Sequence, residues 1–366
     1  MTSRLIERLD REISRCSHPE ERECLKAERA GALARHGLMV EARFGLSGVR
    51  TQNLRMRSPR LSAWVAFVEG LIDHFDSMAP QAALKFERAQ RLAMNAGDEP
   101  LQAQAWAWLA TGSFNRSDIE LMVQQLAQAV RLAPRQHNAA WARIGLVLAD
   151  AYRFAGDNLR AQHWYNRARQ AAGQDGDTSM MSAFLHNFAA MRSAEIGLED
   201  AFSRADPEVA RRALLEVDSI AHYDGTARAE ALTAMVPVIR AQLLVVVGRF
   251  EEALQVYRAY GRQAGNEGMD HRLARFLADM AWCYFCLGQH DEARRGARLT
   301  ETKLDTLTDA DDHAAVHGRL AKVYAGLGEA DVAAHHQVQA DSAWATYEAE
   351  RAVVRQALEA AFSRVM

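Results

Sequence analysis

In the stretch LADAYRFAGDNLRAQHWYNRA, residues 148–168, small and apolar side chains fall at Leu148, Ala149 and Tyr152, stop at Gly156, and resume at Ala161, Tyr165 and Ala168. Steps of three and four place each set on one face of a helix, and the glycine between them marks a turn. The pattern predicts a helical hairpin. The same order recurs at Met280, Ala281, Tyr284, Gly288, Ala293 and Ala297, and again at Leu320, Ala321, Tyr324, Gly328, Ala333 and Ala340, with 40 residues between the two glycines. One step back from Gly288 is Gly248, flanked by Ala241, Leu244, Ala253 and Tyr257; steps of 39, 40 and 40 lead from Gly156 to Ser117, Ser77 and Gly37. A single pair cannot bury its own apolar face, so the repeat predicts stacked pairs that bury it between neighbours.

Gly156 and Gly248 are 92 residues apart, two periods and about a dozen residues more, with Gly197 where the intermediate turn is expected. The surplus falls near SRADPEVARR. There Asp206 and Pro207 read as an N-cap and first helical position, and the insertion is expected to lengthen the turn before the second helix of that pair. Eight pairs follow, with turns near 37, 77, 117, 156, 197, 248, 288 and 328 and a longer pair near 198–225. The organisation expected is a capping helix over 1–20, the repeat array over 21–335, and a long helix over 336–366 that caps the last pair or joins a second chain.

Composition supports helices. The chain is 366 residues long, 49% hydrophobic and 25% charged, with 7 prolines; that mix suits packed helices better than strands or disorder. A net charge of −3 gives no global attraction to nucleic acid or to an anionic membrane. No run reaches the ~18 apolar residues of a membrane span, and the N-terminal stretch lacks the apolar core of a signal peptide. With four cysteines, at 16, 24, 283 and 286, too few for a disulfide framework, a cytoplasmic location is expected.

The motif of residues 148–168, together with Trp106, Leu109, Ala110, Ala129 and Pro134 in the preceding pair, resembles the tetratricopeptide repeat. The resemblance covers about residues 22–350. Its period is longer than the usual unit of about 34 residues, which is similar to the helical repeat regions of bacterial transcription activators, of peptide-pheromone receptors, and of segments ahead of diguanylate cyclase domains. It implies an all-α, right-handed superhelix of about eight pairs, with a concave groove lined by the first helix of each pair.

Mapped onto that groove, the candidate binding residues are Gln104, Thr111, Phe114, Asn115, Arg143, Asp150, Arg153, Phe154, Asn187, Met191, Gln242, Arg275 and Trp282. Polar side chains that can bond a peptide backbone alternate with apolar ones that can hold its anchors. Asn187 can both donate and accept, as a backbone clamp requires. The bland alternative is that every helix needs a polar face.

Other clusters point to structure rather than chemistry. Cys283 and Cys286 lie within a predicted helix and read as packed thiols. His313 and His317 share a helix face beside Asp309 and Asp312, where a capping segment with solvated histidines is favoured over a metal site. His335 and His336 point to different sides. No phosphate loop, nucleophile elbow or HExxH motif occurs, and no catalytic residue, metal or cofactor is expected. Near the C-terminus, Trp344, Tyr347, Val354 and Leu358 follow coiled-coil spacing, interrupted by Arg351, as a capping face or a homodimer seam. The function expected is a non-catalytic scaffold or adaptor for a protein or peptide in bacterial signalling. A ligand- or peptide-controlled sensor that changes curvature is the alternative, and an enzyme-associated helical domain the third class.

Overall fold

The computed structural model describes residues 3–227 and 233–363, the stretch 221–227 by its backbone alone. Among the described residues there is no strand, and no helix is long and apolar enough to cross a membrane. After α1 (Arg4–Arg15), helices come in pairs: α2 (Pro19–Arg35) and α3 (Met39–Met56), α4 (Pro59–Ser77) and α5 (Ala82–Ala96), α6 (Glu99–Asn115) and α7 (Ile119–Leu132), α8 (Asn138–Phe154) and α9 (Asn158–Asp175). The pairs continue with α10 (Thr178–Ala201) and α11 (Pro207–Ala227), α12 (Met235–Val246) and α13 (Phe250–Ala264), α14 (Leu273–Cys286) and α15 (His290–Glu301), α16 (Ala310–Gly326) and α17 (Ala330–Phe362). The fold class is all-α, of the helix-pair repeat kind.

Local chemistry explains the turns. Gly156 takes φ of 80°, and its N–H and that of Asp157 bond the carbonyls of Arg153 and Tyr152, both at 2.9 Å. Asp157 then accepts the Arg160 N–H at 3.0 Å. A Gly-Asp dipeptide thus ends one helix in the left-handed region and caps the next. Gly97–Asp98 and Gly176–Asp177 repeat the device, with aspartates that accept from Leu101 at 3.1 Å and Met180 at 3.0 Å. Where α8 crosses α9, a Cβ on Gly145 would lie 2.8 Å from the Ala168 Cβ, so this pair closes further than any larger residue allows.

The turn expected at Gly197 is elsewhere. Gly197 lies inside α10, and the left-handed residue is Ser203, with φ of 57°. The turn itself is longer, running over 202–206 where the α8–α9 turn runs over 155–157, and the surplus also lengthens the helices, to 24 residues in α10 and 21 in α11. One internal glycine costs a helix only about 1 kcal/mol, and no proline intervenes between 178 and 206. The long C-terminal helix likewise starts at Ala330 rather than 336, because it is the second helix of the last pair, extended to 33 residues. At the other end, α2 already begins at Pro19, before the expected boundary at 20.

The chain divides into two compact units. The first holds the described residues of 1–185, 223–232 and 353–366. In it α2 packs on α4, and α6 on α8. α1 and the end of α2 meet the end of α9: the Leu5 N–H bonds the Gly176 carbonyl at 3.2 Å, Arg8 pairs with Asp175 at 2.9 Å and Arg35 with Asp177 at 2.8 Å. The end of α17 joins them, with Val354, Leu358 and Phe362 buried and Arg355 donating to the Ala155 carbonyl at 2.7 and 3.1 Å.

The second unit holds 186–222 and 233–352. Ala274, Ala278, Ala281, Ala293 and Ala297 let α14 and α15 approach, while Leu320 and Tyr324 of α16 fill the gap beside them. A charged network sits within it. Arg275 bonds Asp312 and donates to the Ala194 carbonyl at 2.8 Å; Arg319 bonds Asp200 and reaches Asp279 at 3.1 Å.

Candidate binding clefts

A cleft of about 320 Å³ lies in the second unit, between the turn after α10 and one face of α17. Trp344, Tyr347 and Arg351 come from α17 at steps of three and four, and Glu195, Ile196, Leu198 and Glu199 from the last turns of α10. The opposite lip is shaped by a helix stop and start: Ser203 turns the chain in the left-handed region, and Asp206 accepts the Glu208 N–H at 2.8 Å where α11 begins. Arg204, on this lip, lies 4.7 Å over the Trp344 ring and 5.2 Å over Phe202, and the two rings meet edge to face at 4.8 Å. Arg351 sits 5.4 Å over Tyr347 and pairs with Glu348 at 2.9 Å. Burial pushes the Tyr347 hydroxyl above its usual range, so it is a neutral donor at physiological pH. An aromatic floor with guanidinium and carboxylate rims can bind; it holds no nucleophile beside a base. Among the described residues, no three His, Cys, Asp or Glu side chains are grouped to hold a metal ion.

The sequence-derived groove residues divide between the two units. In the first, Gln104, Arg143 and Asp150 are buried. Asp150 accepts the Tyr165 hydroxyl, Thr111 bonds its own helix at Ala107 at 3.0 Å, and Phe154 meets Phe114 edge-on at 6.2 Å. Arg153 is half-buried and Asn115 exposed at the end of α6. In the second, Gln242 accepts from Ser193 at 3.0 Å, and Arg275 is 4% exposed inside the charged network. Asn187 and Met191 are half-buried on α10. Trp282 stacks on Phe285 at 5.5 Å, with the Lys322 ammonium 5.6 Å over its ring. Asp150, Gln242 and Arg275 each bond groups of their own chain, while the buried Gln242 Nε2 has no hydrogen-bond partner.

The C-terminal seam is likewise used inside the chain. Trp344 and Tyr347 pack in the second unit and Val354 and Leu358 in the first, the last two 0% exposed.

The histidine reading changes too. His317 and His336 face each other with Nδ1 atoms 2.9 Å apart, and His336 Nε2 lies 3.1 Å from Glu301. His313 stacks on His317 at 6.2 Å, and Tyr324 lies parallel to His336 at 5.6 Å. Burial and His336 hold His317 down to about 4. Two neighbouring helices, α16 and α17, make this contact, which no spacing within one helix could reveal. Cys283 is buried and its thiol is pushed up by burial, while Cys286 is exposed. Both sit in the last turn of α14, the negative end of the helix dipole, which disfavours thiolate.

Arg143 stacks 3.6 Å over the Trp108 ring. On the same ring, His74 packs edge-on at 4.9 Å and is held down to about 3 by burial and by Arg143. Below about pH 6.5 the unfolded chain protonates this histidine and the folded chain does not, so stability is lost as pH falls from 6.5 toward 3. His74→Phe removes that loss. Between pH 6.5 and pH 5 the variant should gain on the wild type by about 1 kcal/mol per pH unit, read as urea midpoints at each pH; parallel pH profiles would contradict it.

The cleft residues Arg204, Glu195 and Glu199 escaped sequence reasoning. The Asp206–Pro207 start and the i, i+3 pair Trp344 and Tyr347 were visible signals, but only folding brings them together. No family model and no curated protein matches the chain. A solved structure does: a Rap protein, crystallised in complex with competence and sporulation factor, is similar to it with a TM-score of 0.53 at 13% identity, over 94% of this chain and 92% of that one. The likeness shows the fold alone: an all-α array of paired helices.

Proposed function

We propose that this protein is a non-catalytic regulatory binding module that takes a protein or peptide segment into the cleft of its second unit. The observation that carries the reading is the 320 Å³ cleft floored by Trp344 and Tyr347 and rimmed by Arg204, Arg351, Glu195 and Glu199. Large rings offer buried area at little entropic cost, and the mixed rim supplies partners for backbone and charged groups. A fold shared with a Rap protein solved in complex with competence and sporulation factor supports a role in binding rather than catalysis. Peptides selected from a display library on the purified full chain should bind wild type at least tenfold more tightly than Trp344→Ala, a loss of about 1.4 kcal/mol or more. Equal affinities in calorimetry would remove the cleft from the reading.

A further inference from the structure

We propose that Arg143 is the receptor for a small monovalent anion, a halide or one carboxylate oxygen, inside the first unit. This site is separate from the cleft of the second unit and does not depend on it. Arg143 is 5% exposed on α8, and its guanidinium lies flat on Trp108, 3.6 Å from the ring centroid. Stacking satisfies the face of the cation and leaves its N–H edge open. Its Nε has no hydrogen-bond partner, and the side chain forms no ion pair among the described residues.

The anions around it are all engaged. Asp177 is held by Arg35 at 2.8 Å, by the Ser179 hydroxyl at 2.6 Å and by the Met180 N–H at 3.0 Å. Asp175 is held by Arg8 at 2.9 Å, and Asp150 takes the Tyr165 hydroxyl. From α4, His74 faces the same ring in its neutral form. Arg143 therefore forms no ion pair of its own, although Asp150 and Asp177 lie close enough to favour its charge. Burial, and then Arg35, press it down to about 9, so it stays protonated at neutral pH. An unpaired buried cation is costly, and an anion at its edge offsets that cost.

Size selects the ligand. The space beside Arg143 and Gln104, lined also by Arg35, Asp175 and Asp177, measures about 10 Å³, room for one water-sized group. A chloride ion fits, as does a single oxygen of a carboxylate.

The test is thermal unfolding of the full chain at constant ionic strength, with sodium chloride or sodium acetate replacing sodium isethionate, a bulkier monovalent anion. Either salt should raise the wild-type Tm by about 2 °C or more, and neither should do so in Arg143→Gln. A rise with chloride alone assigns the site to a free halide; a rise with acetate assigns it to a carboxylate. No rise in wild type, or an equal rise in Arg143→Gln, overturns the proposal. Should that variant not fold, bromide-soaked crystals of the wild type decide: an anomalous peak at the guanidinium edge supports the site, and a water there without one overturns it.

Discussion

Arg275→Met is expected to destabilise the second unit by about 3–5 kcal/mol, because it removes one partner of a buried ion pair and leaves the other charged. Arg275 is 4% exposed, joins Asp312 of α16, and also donates to the Ala194 carbonyl of α10 at 2.8 Å. Without it Asp312 remains buried beside Asp311, whose carboxyl is already pushed up to about 7 by burial and by Asp312. The neighbouring network adds to the cost: Arg319 joins Asp279, which accepts the Tyr257 hydroxyl at 2.9 Å. Removing both charges is a different experiment. Arg275→Met with Asp312→Leu should recover most of the loss, since a buried pair replaced by apolar groups of similar volume is often neutral. Guanidinium unfolding of the two single variants and the double variant measures the coupling. A single-variant loss below about 1 kcal/mol would mean that water reaches the pair and that the network does not hold the unit.

Leu358→Asp should destabilise the first unit by about 4 kcal/mol or more, with a midpoint independent of protein concentration. Leu358 is 0% exposed, with Val354 at 0% and Phe362 at 1% on the same face of α17. The substitution forfeits the burial of a leucine and places a carboxylate among apolar side chains. Arg355, on the same segment, donates to the Ala155 carbonyl at the end of α8, which ties this face to its own chain. A seam between two copies predicts the opposite: a midpoint that rises with concentration in the wild type, and a folded monomer in the variant. Unfolding at two protein concentrations, joined to sedimentation, separates the two. Val338→Asp on the same helix, 65% exposed, is the control and should change stability by no more than about 0.5 kcal/mol.

The opening hairpin shows how much was legible before folding. Leu148, Ala149, Tyr152, Ala161, Tyr165 and Ala168 are all buried, and Gly156 is the left-handed residue between α8 and α9. Such contacts are local, so spacing and residue size are sufficient to read them. Gly197 shows the limit. Its place in the period suggested a turn, yet a lone glycine does not stop a helix, and the stop came at Ser203 before Asp206 and Pro207. Two of the groove candidates show a different limit. Gln242 and Arg275 lie on helices as expected, but Ser193 and Asp312 are supplied to them from elsewhere in the chain, and burial made those pairings more favourable than waiting for a ligand.

By itself the sequence determined the all-α class, the pairing of helices and the residues that stop and cap them, because backbone propensity, glycine at positive φ and the period of small residues act over one or two turns. Tertiary structure alone decided which polar faces stayed available. Closure of the first unit engaged Asp175 and Asp177 and left Arg143 unpaired, and the approach of α17 to the turn after α10 built the Trp344 and Tyr347 cleft. Those outcomes depend on contacts between residues well over a hundred positions apart, and the energy of a charge or ring at such a place is set by what surrounds it, which no local spacing encodes.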